Sequence, residues 1–337
     1  MINLKTISRD IRFATGLLRR RPFQCLLQVT NRCNMKCSFC DFWPNGAPRS
    51  QELSIADFQR LSEQLAAIGC FVVSIEGGEP FVRPDLIDIV QAFGDRHIPL
   101  LYTNGWFVND ENASALFAAG LMQVGVSIDF PDADRHDKKR GLAGGFEKAW
   151  QAVMRLRDAA PHGGKQVHVM TVLMRENQQD LEALLELSAK HQVGHCVTLL
   201  STKGFRRGAI DQLPSESIGT ELQALWRRYP HLRAFRDYLE GIDPFLSGAT
   251  LPTCRAGNQS FNIDHVGNVS PCIEKIDHVI GNVRQESLRE ILCRMTNLKE
   301  VAGCQSCWTL CRGFSQALGS GGSLQSWQDL TRRMRSS

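Results

Sequence analysis

Six short apolar runs, at residues 24–29, 71–75, 99–102, 123–128, 166–173 and 195–200, alternate with segments of helical periodicity near 55–68, 85–93, 112–119, 146–158 and 179–191. That alternation constrains the fold most. Parallel strands need a long crossover between them, and a helix is its usual form. The chain is therefore expected to be α/β, with a parallel sheet and helices outside it. Ser54 is placed to cap the first of these helices and Gly69 to stop it. With 337 residues, 43% hydrophobic and 22% charged, a sizeable core is available. Residues 201–253 are less regular, with a helical patch near 219–228 and a turn expected at 242–244, and read as a bridge. Gly319 to Ser323 read as a flexible link to a short terminal helix.

Cys33, Cys37 and Cys40 follow the first apolar run at Cys-x3-Cys-x2-Cys spacing. One loop thus supplies three thiolates, where a structural zinc site is normally closed by four ligands. An iron–sulfur cluster held by three thiolates keeps one iron open. Residues 1–23 hold six basic side chains and one acid, so the net charge of +4 leaves the remainder close to neutral, against a broad nucleic-acid surface. No secretory signal is visible and no run approaches the ~18 apolar residues of a membrane span. Twelve cysteines in such a chain are expected to be metal ligands or buried thiols of a reducing cytoplasm. The segment 7–21 is expected to form a basic amphipathic helix with Ile11, Phe13, Leu17 and Leu18 on one side, closing the barrel bottom or touching an anionic membrane surface.

The second strand ends in Glu76-Gly77-Gly78-Glu79-Pro80, a tight turn or a place where a ligand reaches the backbone. Thr103-Asn104-Gly105 ends the third strand and Ser127 lies in the end of the fourth, followed by Asp129, His136, Asp137 and Arg140. Near the C-terminus, Cys254, Cys272, Cys304, Cys307 and Cys311 form a second group, with Cys272 closing a Gly-x4-Cys hairpin signature. Cys293 is expected in the core of its helix, and Cys25, Cys70 and Cys196 as buried thiols. No histidine is assigned as a ligand.

These motifs resemble the radical S-adenosylmethionine (radical SAM) enzymes. The resemblance implies a partial (β/α)6 TIM-like barrel at 24–200 after a basic helix at 1–23, a bridge at 201–253, a SPASM- or Twitch-like cysteine-rich domain at 254–318 and a tail at 319–337. It implies a 4Fe–4S cluster on Cys33, Cys37 and Cys40 whose open iron binds S-adenosylmethionine. Gly77, Gly78, Glu79, Pro80, Asn104, Ser127, Arg140 and Phe39 are carried over as cofactor-binding residues. For Phe39 a core role stays open, for Asn104-Gly105 a turn, and for Asp129 and Asp137 a place as solvated loop acids. The five C-terminal cysteines are too few for the two auxiliary clusters of a full SPASM domain. They imply one, on Cys254, Cys272 and two of Cys304, Cys307 and Cys311, with zinc as the alternative.

The implied chemistry is reductive cleavage of S-adenosylmethionine to a 5′-deoxyadenosyl radical that removes a substrate hydrogen, with electrons from a flavodoxin- or ferredoxin-type donor. Ile273, where sulfatase-maturing relatives carry an acid, argues against that activity. Too few residues precede the first strand for a leader-binding domain, which favours a small-molecule, sugar or lipid-linked substrate over a peptide. A non-catalytic metal-binding scaffold is the rival of another class, disfavoured by Gly77–Pro80, Ser127 and Arg140. No catalytic side chain beyond the cofactor ligands is assigned.

Overall fold

The computed structural model describes residues 4–319, apart from 206, 207, 216 and 297. Six strands, β1 (Gln24–Thr30), β2 (Val72–Gly77), β3 (Ile98–Thr103), β4 (Gln123–Ser127), β5 (Val167–Leu173) and β6 (Gly194–Leu199), pair in chain order and all in parallel. Their crossovers contain α2 (Ile55–Ile68), α3 (Leu86–Gly94), α4 (Asp110–Ala118), α5 (Ala133–Arg140), α6 (Gly145–Ala159) and α7 (Leu181–Lys190), after α1 (Leu4–Leu18). Ser54 caps α2 through a reciprocal capping box with Asp57, and the Gly69 N–H closes it on the Leu65 carbonyl. The helices bury Phe58, Leu61, Ile89, Phe93, Leu116 and Val153 against Val73, Ile75, Leu101 and Val124 on the outward faces of the strands. Those faces form the core, and the alternate residues turn to the interior.

β1 and β6 do not pair, so the barrel is open. On the other side of β1, β7 (Ser260–Ile263) adds in parallel, followed by the antiparallel strands β8 (Asn268–Ser270) and β9 (Gly281–Asn282). One nine-stranded sheet thus carries the loop with Cys33, Cys37 and Cys40 after β1 and the turn with Cys272 after β8. Next to β6, α8 (Ile218–Arg228), α9 (Arg236–Glu240) and α10 (Ile242–Leu246) pack with Trp308 around Leu199, Leu232 and Tyr238. The turn expected at 242–244 is the start of α10, because Pro244 falls in the first turn, where a helix needs no N–H from it. α11 (Leu288–Met295), α12 (Lys299–Ala302) and α13 (Leu310–Leu318) are the last elements among the described residues. α11 buries Leu288, Ile291, Leu292 and Met295, which leaves Cys293 on the opposite, exposed face and not in the core.

α1 starts and stops three residues before the expected segment. Arg12 donates to the carbonyls of Ala66 and Gly69 and Arg21 to that of Ile68, so basic side chains meet the negative end of α2. Phe13 packs edge-on against Phe23 while Ile11 and Leu18 are exposed, so the four apolar residues do not share one side. No helix among the described residues is long and apolar enough to cross a membrane. Residues 320–337, with the expected terminal helix, lie outside the described residues.

Candidate active site

The barrel interior is a cavity of about 1090 Å³ that runs from the cysteine loop at the C-terminal ends of the strands to Gln166 and Arg233 at their N-terminal ends. Cys33, Cys37 and Cys40 all line it. Their loop is clamped from two sides. Gly78 donates to the Thr30 carbonyl (2.7 Å) and Glu79 to that of Arg32 (2.9 Å). A Cβ on Gly77, which has φ of +133°, or on Gly78 would collide with the carbonyl of Thr30 or Arg32. The two glycines are therefore required by the close approach of the cysteine loop itself, a packing reason that the sequence alone did not show. On the other side, buried Glu52 accepts from Thr30, from the Arg32 fork (3.0 and 3.0 Å) and from Arg83, which also donates to Val29 and Leu53 carbonyls. Local spacing gave no hint of this network.

Glu79 is buried, and its carboxylate accepts from Thr103 Oγ1 (2.7 Å), Asn104 N–H (2.7 Å) and Phe81 N–H (3.1 Å). It ties the tip of β2 to the tip of β3. Burial outweighs these hydrogen bonds and pushes its pKa up to about 7 from 4.5. A carboxyl that keeps its proton longer in the folded than in the unfolded chain contributes stability that is complete below about pH 4.5 and lost as pH rises through about 7. Glu79→Gln is expected to flatten the stability curve across that window in urea unfolding of the metal-free chain. A slope unchanged by the substitution would assign the dependence to other groups.

Arg140, at the last turn of α5, is buried and lines the cavity. Its Nε and Nη2 donate to Asp129 Oδ2 at 2.9 and 2.7 Å, while Asp129 Oδ1 accepts from Val172 N–H at 2.9 Å. Asp129 is thus a buried ion-pair partner, not a solvated acid. Asp137 accepts from the backbone of Gly144 and Phe146 and organises the turn into α6. Phe39 packs with Phe130, Met174 and Leu200 and also lines the cavity, with Arg140 5.8 Å from its ring centre. Asn104 donates to Asn34 Oδ1 at 2.8 Å beside Cys33 and lines the cavity with Ser127, and Pro80 is buried in the turn below.

Burial pushes the Cys33 thiol up to about 12 and Cys37 to about 11, the latter opposed by the Arg140 charge. Such thiols stay protonated until a metal displaces the proton. Cys272 and Cys307 are raised for the same reason, and each feels Cys311, with Cys254 also beside Cys272. Of the second cysteine group, Cys311 lines the same cavity as Cys33, Cys37 and Cys40. Among the described residues no three His, Cys, Asp or Glu side chains converge on a single-ion site. The soft, cavity-facing thiol donors suit an iron–sulfur cluster. The three thiols expected to be buried, Cys25, Cys70 and Cys196, are buried, and Cys196 also lines the cavity.

A family model for the radical SAM superfamily matches residues 27–188, and one for the SPASM iron–sulfur cluster-binding domain matches 254–312. The chain is 31% identical over 261 residues to the mycofactocin maturase MftC of Mycobacterium ulcerans, covering 74% of this chain and 68% of that one. It is 27% identical over 286 residues to the AdoMet-dependent heme synthase of Nitratidesulfovibrio vulgaris, covering 78% and 77%. In fold it is similar to Streptococcus suis SuiB, solved with S-adenosylmethionine, at a TM-score of 0.63 and 14% identity over 87% of this chain and 70% of that one. The chain belongs to the radical SAM superfamily, enzymes that use a 4Fe–4S cluster and S-adenosylmethionine, and it carries a C-terminal SPASM iron–sulfur domain.

Proposed function

We propose that the chain is an oxidative maturase that acts on a peptide segment inserted into the barrel. The observation that carries this reading is that Cys311 of the second cysteine group lines the same cavity as Cys33, Cys37 and Cys40. When bound, a 4Fe–4S cluster and S-adenosylmethionine supply a carbon radical able to remove an unactivated hydrogen. Cys33, Cys37 and Cys40 hold that cluster on a loop that Glu52, Gly77 and Gly78 keep rigid. Arg140, held in place by Asp129, would offer its planar guanidinium to a carboxylate or ribose of the cofactor, and Ser127, Asn104, Phe39 and the backbone of Gly77 to Pro80 would help to hold it. The apolar wall keeps water from the reacting centre.

Cys254, Cys272 and two of Cys304, Cys307 and Cys311 would hold one auxiliary cluster, which would supply an electron acceptor for the oxidation, and a ferredoxin- or flavodoxin-type protein would be the electron donor. The similarity to the maturase MftC favours a peptide, which moves the weight away from a small molecule. A small molecule remains the second reading, favoured by the similarity to the heme synthase. Co-expression with a short peptide encoded beside this gene tests the first: loss of hydrogens from the peptide, found by mass spectrometry, supports it, and an unchanged mass overturns it. A variant with Cys33, Cys37 and Cys40 all replaced by alanine is expected to retain about four iron and four sulfide per chain, the content of one four-iron cluster. About eight would mean two auxiliary clusters, and zinc would mean a structural site.

A further inference from the structure

We propose that the N-terminal end of the barrel interior binds an anionic group of the substrate, a carboxylate or a phosphate, through Arg233 and His168. The inference rests on the reading that the cavity is the substrate site, and it names what the far end of that substrate carries. Residues 231–233 run along the open edge of β6: His195 donates to the His231 carbonyl at 2.9 Å and Arg233 donates to that of His195 at 2.7 Å. Leu232 is fully buried among apolar neighbours, while the Arg233 side chain lines the cavity.

Its guanidinium has no carboxylate partner among the described residues, and its one hydrogen bond, to the Gly164 carbonyl, is long at 3.4 Å. A cation in that position, with its charge disfavoured by desolvation, is costly unless something pairs with it. Next to it on β5 stands His168, 2% exposed, lining the cavity, with neither ring nitrogen hydrogen-bonded to a described residue. Buried donors and acceptors are normally satisfied, so two open nitrogens on one ring call for a ligand. Burial lowers the ring to about 3, so at neutral pH it offers one N–H and one lone pair.

Space has been made around both groups. The residues in register with His168 on the two flanking strands are Gly125 and Gly194. A Cβ on Gly125 would come within 2.8 Å of His168 Nε2, and one on Gly194 within 2.7 Å of Arg233 Cζ. The acids that line the cavity, Glu76 and Glu79, stand on β2 and at its tip, three strands away from β5. A forked guanidinium beside a neutral N–H donor matches a carboxylate or phosphate. His168 lies two residues below Met170, which pairs with Ser127, so the group would be held about 7 Å of strand below the cofactor level.

The test titrates the reconstituted holoenzyme with benzoate, phenyl phosphate and uncharged benzamide by calorimetry. One or both anions are expected to bind and benzamide not, and the tighter anion assigns carboxylate or phosphate. Arg233→Met is expected to weaken the anion about 10-fold or more, with Arg233→Lys and His168→Phe intermediate. Without anion, Arg233→Met is expected to melt no lower than wild type, because an uncompensated charge has been removed. Binding of benzamide as tight as the anions, no anion binding, undiminished binding in both Arg233 variants, or a lower melting point of the Met variant overturns the proposal. The readout involves no turnover, so a failed peptide assay and a failed anion titration are separately visible.

Discussion

Replacing Cys33, Cys37 and Cys40 together by alanine abolishes release of 5′-deoxyadenosine from S-adenosylmethionine in the anaerobically reconstituted, dithionite-reduced enzyme. The loop keeps its course in the variant, because Gly78 and Glu79 hold it through backbone hydrogen bonds and Glu52 through Thr30 and Arg32. None of those contacts uses a cysteine. The loss is thus one of ligands, not of fold, and unaltered thermal unfolding distinguishes the two. The second cysteine group does not rescue the reaction, since its thiols belong to the SPASM domain and not to the loop after β1. Chromatographic detection of 5′-deoxyadenosine at the wild-type rate in the triple variant would place the reactive cluster elsewhere.

Arg140→Lys raises the S-adenosylmethionine concentration needed for half-maximal 5′-deoxyadenosine release about 10- to 150-fold, the range for one lost charge-assisted hydrogen bond of roughly 1.5–3 kcal/mol. Arg140 spends Nε and Nη2 on Asp129 Oδ2, and this pairing orients the remaining edge of the guanidinium towards the cavity. A lysine offers one ammonium and cannot pair with Asp129 and point a fixed donor edge at a ligand at once. Asp129→Asn keeps the shape and loses the charge, so its curve lies between wild type and Arg140→Lys. A wild-type titration for Arg140→Lys, with a lowered melting temperature, would limit Arg140 to holding β4, α5 and Asp129 together.

The six parallel strands lie within two residues of where alternation put them, and α2 begins and ends where Ser54 and Gly69 signalled. Both signals are local: apolar period, a capping side chain and a helix stop act over a few residues. The cysteine loop and the Gly77–Pro80 turn were legible for the same reason, being contiguous motifs. The exposure of Cys293 could also have been read, because Leu288, Ile291, Leu292 and Met295 already fill the buried face of α11.

Other features depend on residues distant in the chain. β7 pairs with β1 across more than two hundred residues, and neither segment carries a mark of the other. Glu79, Asp129 and Arg140 were each found as motif residues, but which hydrogen bonds they make was decided by how strand tips meet. Arg233 and His168 belong to no motif; a short edge segment and two glycines in register bring them together. The sequence by itself determined the β/α order, the caps and the clustered thiols, since these follow from short-range sterics and burial. Only the tertiary structure decided that Cys311 opens onto the same cavity as Cys33, Cys37 and Cys40 and that a half-buried cation lies at its far end, because the packing of distant segments is what draws those groups away from water.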